Sequence, residues 1–277
     1  MVTLLLHYFH ILLTLNFLTR IQLKQGIMLL LKDKSQTLNV DNYTIIIPSI
    51  CVGNAAQLAC DLLIASKKLK RIGSLSHAAL IPVFGPSAYQ HEPNECVASC
   101  ELYESPEDKL LVVQFRAPFI SRQTKRFQNE FVTLLKGARR VIILSGSFGF
   151  ERRVIEGSPW AYRATDKFKT DHATELGDQA LVKWQEHTGE HIFGGGNALQ
   201  LYKAFEDAQV PSMLLFRYLL EGDNSTDAKL IVRELNELCG DFLKLRVASD
   251  AGDGKFKLTL PSSWNLLFGN DVTELLF

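Results

Sequence analysis

Residues 44–64 read TIIIPSICVGNAAQLACDLLI, and this stretch decides the fold. Thr44 to Ser49 is short, β-branched and bounded by turn residues, the signature of a buried strand. It leads straight into a helix. After Val52-Gly53-Asn54, apolar residues fall at Ala55, Leu58, Ala59, Leu62 and Leu63, the spacing of one helical face. Gly53 suits the tight turn, and Asn54 offers an N-cap side chain.

The same grammar recurs outward along the chain. Leu110 to Phe115 reads as a strand and precedes a helix carrying Phe127, Phe131, Leu134 and Leu135 on one side. Val141 to Leu144 is a third strand. Ala198, Leu201, Tyr202 and Phe205 mark a helix, Met213 to Phe216 a strand, and Ala228, Ile231, Leu235 and Leu238 another helix. This alternation predicts an α/β fold, a three-layer sandwich with a mostly parallel sheet and helices on both faces. Two stretches break the rhythm. The prolines between Pro82 and Asp108, with short strands around Val97 to Tyr103, predict an antiparallel excursion at the sheet edge. Arg152 to His191 is polar and poorly periodic, which predicts a long insertion.

The first forty residues are rich in Leu, Ile and Phe but fit neither a signal peptide nor an anchor. No basic residue precedes the apolar run and no small-residue cleavage site follows it. His7, His10 and Asn16 interrupt the run, which barely reaches the ~20 residues of a spanning helix. Met28 is a candidate start. The expected organisation is therefore residues 1–42 as an N-terminal extension, disordered or outside the native protein, and residues 43–277 as one α/β domain with a C-terminal tail. A membrane-anchored adaptor is the reading that remains if residues 1–20 are translated.

The chain has 277 residues, is 47% hydrophobic and carries a formal net charge of zero, so no global field draws it to nucleic acid or to an anionic membrane. The scattered basic pairs, such as Lys67-Lys68 and Arg139-Arg140, read as solvated helix ends. Five cysteines form an odd set in a chain too large to need staples, which predicts reduced thiols in a cytosolic protein. Cys96 and Cys100 have no second Cys pair and no suitably spaced His, so a closed zinc site lacks ligands.

Ligand chemistry in an open α/β sheet belongs at the carboxyl ends of its strands. Three glycine loops qualify: Val52-Gly53-Asn54, Ser145 to Gly149, and Gly194-Gly195-Gly196-Asn197. None is a dinucleotide fingerprint or a P-loop, so plain turn glycine is the favoured reading. Ser147 directly follows Gly146, which breaks the spacing of a nucleophile elbow. His187 and His191 are spaced as metal ligands on a helix, but Gly189 weakens that helix, and an exposed polar segment is favoured. His77 is read as lying on a strand. Phe148, Phe150, Trp160, Tyr162, Phe168, Trp264 and Phe268 concentrate in loops and near the end, where they serve either interfaces or cores beneath loops.

Ile50-Cys-Val-Gly-Asn-Ala-Ala-Gln-Leu-Ala-Cys-Asp-Leu-Leu-Ile64, Phe193-Gly-Gly-Gly196, Leu220-Glu-Gly-Asp-Asn224 and Pro261-Ser-Ser-Trp-Asn-Leu-Leu-Phe-Gly269, in this order and spacing, resemble the proteasome assembly chaperone 2 family. The likeness runs from about Tyr43 to Phe277. It implies a fold phosphorylase-like in shape, which by itself confers no activity. It also implies a non-catalytic cytoplasmic and nuclear chaperone for 20S proteasome assembly. Such a chaperone pairs with proteasome assembly chaperone 1 and protects the ring of proteasome alpha subunits, with no cofactor or metal, no nucleic acid and no membrane.

Gly53, Asn54, Gly194, Gly195, Gly196, Glu221, Gly222, Asp223, Asn224 and Trp264 are then family-motif scaffold, with Asn224 or Asp223 capping a helix that starts near Thr226. Phe148, Phe150 and the tail Leu275, Leu276 and Phe277 are the partner-binding candidates. In related chaperones the tail ends in hydrophobic-Tyr-any residue, and here Leu276 stands in the tyrosine position without its hydroxyl. The alternative is a nucleoside phosphorylase-like or hydrolase-like enzyme built on the Gly53, Ser145 and Gly194 loops.

Overall fold

The structure, a computed structural model, describes residues 20–24, 26–153, 156–176, 181, 183–238, 243, 245–247, 255–256 and 258–266. The chain opens with a hairpin, β1 (Arg20–Lys24) and β2 (Ile27–Leu31), followed by β3 (Thr44–Pro48), α1 (Ala55–Lys67) and β4 (Lys70–Ser76). A short hairpin, β5 (Phe84–Pro86) and β6 (Cys96–Ala98), precedes β7 (Cys100–Ser105), β8 (Leu110–Phe115), α2 (Ser121–Leu135) and β9 (Arg140–Phe148). Then come β10 (Trp160–Ala164), α3 (Asp166–Leu176), β11 (Gln185–Glu186), α4 (Ala198–Asp207), β12 (Ser212–Leu219) and α5 (Ser225–Leu238).

One ten-stranded sheet runs β1-β2-β4-β7-β8-β3-β9-β12-β10-β11. Its centre, β8-β3-β9-β12, is parallel, as the strand–helix alternation predicts. On one side β7, β4, β2 and β1 continue it antiparallel, and the β5–β6 hairpin forms a separate small sheet; this is the antiparallel excursion. Central strands covered on both faces are mostly apolar, and β3 and β8 are buried at every position.

The two-residue period sorts those strands into two cores. Ile46, Val112, Ile142, Leu144 and Met213 point to the layer holding α1 and α5. Ile45, Ile47, Val113, Ile143 and Leu214 point to the layer holding α2 and α4. Each such side chain contributes about 1.5–3 kcal/mol by leaving water. α1 ends at Lys68, which adopts a left-handed conformation (φ +50°) and donates its N–H back to Ala65 and Ile64, and the chain turns at once into β4.

Four expectations are corrected. The domain starts before Tyr43, because β2 pairs with β4 and buries Ile27, Leu29 and Leu31. Its alternation is hidden in a run, Ile-Met-Leu-Leu-Leu, that is apolar on both faces. The stretch 152–191 contributes two strands to the sheet: β10 pairs antiparallel with β12 and parallel with β11, and Trp160, Tyr162 and Phe168 are buried. Ser145 to Phe148 is the end of β9 rather than a loop. His77 sits just beyond β4, accepting the Ala79 N–H at 2.9 Å, with its other ring nitrogen 3.3 Å from the Glu130 carboxylate.

Candidate functional site

Because β3, β9 and β12 are parallel, the segments after them share one edge of the sheet: Ile50–Asn54, Gly149–Glu151 and Leu220–Asn224. Gly194–Asn197, ahead of α4, joins them. Val52 donates its N–H to the Gly194 carbonyl at 2.7 Å, and Phe148 donates to the Phe193 carbonyl at 3.1 Å. The Ser147 hydroxyl donates to the Phe193 carbonyl at 3.0 Å and the Ser145 hydroxyl to that of Gly195 at 3.3 Å. The loops are thus stitched to one another.

Two glycines are required by this stitching. Gly53 has φ +60°, and a Cβ there would lie 1.9 Å from Asn224 Nδ2. Gly196 also has φ +60°, and its Cβ would lie 2.3 Å from the Ile50 carbonyl oxygen. Neither position tolerates a side chain, since both the backbone region and the space forbid it. Asn54 is left-handed too (φ +52°) and makes no side-chain cap bond at α1, contrary to expectation. At α5 it is the Asp223 carboxylate that accepts the Ser225 N–H, at 2.8 Å, and this bond holds its pKa below the usual carboxylate value. Asn224 is buried and donates to the Gly222 carbonyl at 3.0 Å. Glu221 and Gly222 form an exposed turn beside it.

Above the stitched loops stands an apolar ridge. The Phe148 and Phe150 rings stack, with centroids 5.0 Å apart and planes at 13°. Phe150 is 77% exposed, Leu220 76% and Phe193 55%, values far outside what a core contact needs. A Cβ at Gly149 would touch Leu220 Cδ2 at 3.2 Å, and one at Gly194 would touch the Phe148 ring at 3.0 Å, so Leu220 and the stacked rings stand over the same loops, while the Phe193 ring meets His191 with centroids 5.8 Å apart. Sequence reading singled out Phe148 and Phe150; Phe193 and Leu220 were quoted only as parts of motifs, yet each abuts an exposed glycine turn.

Of the remaining candidates, His187 and His191 line a cavity of about 280 Å³ with Ser147 and Phe193, whereas the others lie elsewhere. Trp264 lies apart, half-buried against the α1/α5 core in a turn of Ser262–Leu266. Phe268, Leu275, Leu276 and Phe277 lie outside the described residues. His187 and His191 follow β11 on extended chain, so they do not share a helical face, and His187 meets the Phe216 ring edge-on at 5.3 Å. Burial, then Arg163, lowers the His187 pKa. Ser145 is buried and receives a bond from the Ser49 hydroxyl at 2.8 Å; none of its described partners is an imidazole or carboxylate. Burial pushes the thiols of Cys51, Cys60 and Cys100 up, which keeps them protonated and unreactive. Among the described residues no three His, Cys, Asp or Glu side chains gather as a metal site.

One feature escaped the sequence: a buried charge network between α1, β4, β7 and β8. Asp61 Oδ1 accepts from the Tyr89 hydroxyl (2.6 Å), Gln114 Nε2 (2.7 Å) and Arg116 Nη2 (3.1 Å). Glu101, with no exposed surface, accepts from Arg71 at 2.8 Å and from the Tyr103 hydroxyl at 2.8 Å. Arg71 also pairs with Glu95, which Lys32 meets at 2.8 Å, so a chain of ion pairs running to the surface offsets the two buried carboxylates. The only hint was an aspartate inside an otherwise apolar helical run.

Fold and site together define a three-layer α/β domain whose strand-end loops bond to one another and carry exposed apolar side chains. Within that class the chain belongs to the PAC2 family, which it matches over residues 45–241. It is 32% identical to Proteasome assembly chaperone 2 of Xenopus tropicalis over 255 residues, 85% of this chain and 95% of that protein. Identity to the Mus musculus protein of the same name is 30% over 260 residues, covering 86% and 96%. In fold it is similar to Pyrococcus furiosus PbaA, an archaeal homolog of proteasome-assembly chaperone (TM-score 0.59, 18% identity, 81% and 89% of the two chains). Pyrococcus furiosus PbaB, an archaeal proteasome activator, is also similar (TM-score 0.56, 15% identity, 83% and 93%).

Proposed function

We propose that this chain is a non-catalytic chaperone of 20S proteasome assembly, working as a heterodimer with proteasome assembly chaperone 1 and shielding the ring of alpha subunits in cytoplasm and nucleus. The observation that carries the reading is the ridge of Phe148, Phe150, Phe193 and Leu220 at the strand-end edge. An exposed aromatic cluster on a rigid base is what protein interfaces use as an anchor. The names of the full-length relatives supply the assembly to which it is addressed.

The enzyme reading is disfavoured by the same edge. Loops that would cradle a phosphate spend their amides and hydroxyls on each other's carbonyls, and Ser145 is bonded within that lattice. No cofactor enters the proposed role. Nucleic acid is disfavoured by the zero net charge, and no described helix is long and apolar enough to cross a membrane. Affinity purification of the tagged chain from its own cells tests the reading. Recovery of proteasome assembly chaperone 1 and alpha subunits, without mature proteolytic activity, is the expected result; recovery of neither sinks it.

A further inference from the structure

The strand-end edge extends beyond the ridge. β4 runs antiparallel to β7 and β7 antiparallel to β8, so β4 and β8 end at the same edge as β3, β9 and β12. A bridge between Leu80 and Phe119 ties together the segments that follow them. The β5–β6 hairpin sits there too, because β6 enters β7 opposite Phe115. These segments expose Ile81, Val83, Phe84 and Ile120, at 38%, 42%, 63% and 40%. With Phe150, Phe193 and Leu220, seven of the eight large apolar side chains exposed among the described residues stand on this one edge. Leu260 is the eighth, next to Thr259, whose N–H bonds the Ser66 hydroxyl near the far end of α1.

Charge divides the edge into halves. Beside Ile120 the start of α2 exposes Arg122, Lys125 and Arg126, with no acidic residue in its first turn. Arg126 is paired with Glu130 inside the helix, so Arg122 and Lys125 set the charge of that half. At the ridge end Glu156, Glu221 and Asp223 are exposed and Glu151 is half-buried, four carboxylates against the guanidiniums of Arg152 and Arg153. The apolar strip thus has a cationic end and an acidic end.

We infer that this edge pairs with the same edge of a second copy of this chain, related to it by a two-fold axis. A two-fold contact needs a surface that complements itself, and opposite charges at the two ends of an apolar strip supply one. Turned by half a revolution, each cationic half faces an acidic half and apolar side chains face apolar ones; laid in the same direction, cations would face cations. From β4 to β10 the edge crosses seven strands, ~29 Å at ~4.8 Å a step. That is the width of a standard interface of about 800 Å² per partner. The pairing needs no proteasome component and stands apart from the proposed role. A second copy seated here covers the ridge, so self-association competes with capture of any other partner there.

Sedimentation equilibrium of the isolated full chain at about 0.05 M and about 1 M salt tests this. The expected result is a dimer at low salt that weakens as salt rises. Arg122→Glu/Lys125→Glu and Glu156→Lys/Glu221→Lys should each weaken pairing by about tenfold or more. An equimolar mixture of the two should form a mixed dimer, since each altered half then faces its opposite. A misfolded variant could not give that recovery. A wild-type chain that is monomeric at both salts, or a larger oligomer, overturns the inference. So does unchanged pairing in both double variants, or a mixture that pairs no better than its components. Each of these results leaves the affinity purification free to succeed or fail on its own.

Discussion

The side-chain amide of Asn224 occupies the space a Cβ on Gly53 would need, with only 1.9 Å between that position and Asn224 Nδ2. Two loops from opposite ends of the chain are thereby keyed to each other. Gly53→Ala meets both a left-handed backbone (φ +60°) and this collision, and should cost about 2–4 kcal/mol. Asn224→Ala removes the obstacle, so the double variant should be less destabilised than the sum of the singles. Urea unfolding midpoints of the four proteins measure the coupling; strict additivity would mean that the loops are not keyed.

The ridge makes a separable prediction. Phe150 and Leu220 are 77% and 76% exposed, so Phe150→Asp and Leu220→Asp should leave the melting temperature within a degree or two. If the ridge anchors the partner, each should weaken capture by about 30-fold, the scale of a central aromatic or aliphatic anchor. Quantitative pull-down against the wild-type chain reads this out, and undiminished capture by both variants would move the interface elsewhere.

The parallel centre was legible because β3, β8, β9 and β12 each carry a short apolar run, near an amphipathic helix or its cap. β2 was not, since Ile-Met-Leu-Leu-Leu alternates in burial but not in polarity, and it merged with the apolar residues before it. The stretch 152–191 misled for the opposite reason: polar residues cover an outer layer whose buried anchors, Trp160, Tyr162 and Phe168, are too few to set a period. The glycine motifs pointed to the right edge of the molecule. What they do there depends on contacts across some 170 residues, from Gly53 to Asn224, which local patterning does not encode. The same holds for Asp61 and Arg116, paired at 3.1 Å across 55 positions.

That pair sets the third prediction. Arg116 also donates to the Tyr89 hydroxyl at 2.8 Å, so Arg116→Met strands a buried carboxylate and should cost about 3–5 kcal/mol. Asp61→Leu added to it removes the stranded charge and should recover a substantial part of the loss. Chemical denaturation of the two variants checks the sign. A double variant no better than Arg116→Met would show that packing, not charge, governs this site.

The last prediction concerns alkaline pH. Burial raises the thiol pKa of Cys51, Cys60 and Cys100 in the folded chain, while the unfolded chain ionises them near about 8.5. Groups whose folded pKa is raised contribute full stability below the unfolded value and lose it as pH climbs toward the folded one. Once pH exceeds the unfolded value, the unfolded state sheds protons that the native state retains. Stability should therefore fall by up to about 1.4 kcal/mol per pH unit for each thiol, beginning near pH 8.5. Cys60 is fully buried, and the Asp61 carboxylate beside it raises its pKa further. Cys60→Ala lowers stability at pH 7 through the small cavity it leaves, but it should flatten the slope between pH 9 and 10 by about one proton's worth. Urea unfolding from pH 7 to 10 separates the two effects, because a cavity shifts the whole curve whereas a lost titration changes its gradient. Parallel curves for the variant and the wild-type chain would mean that the thiol ionises in the folded state as readily as in the unfolded one.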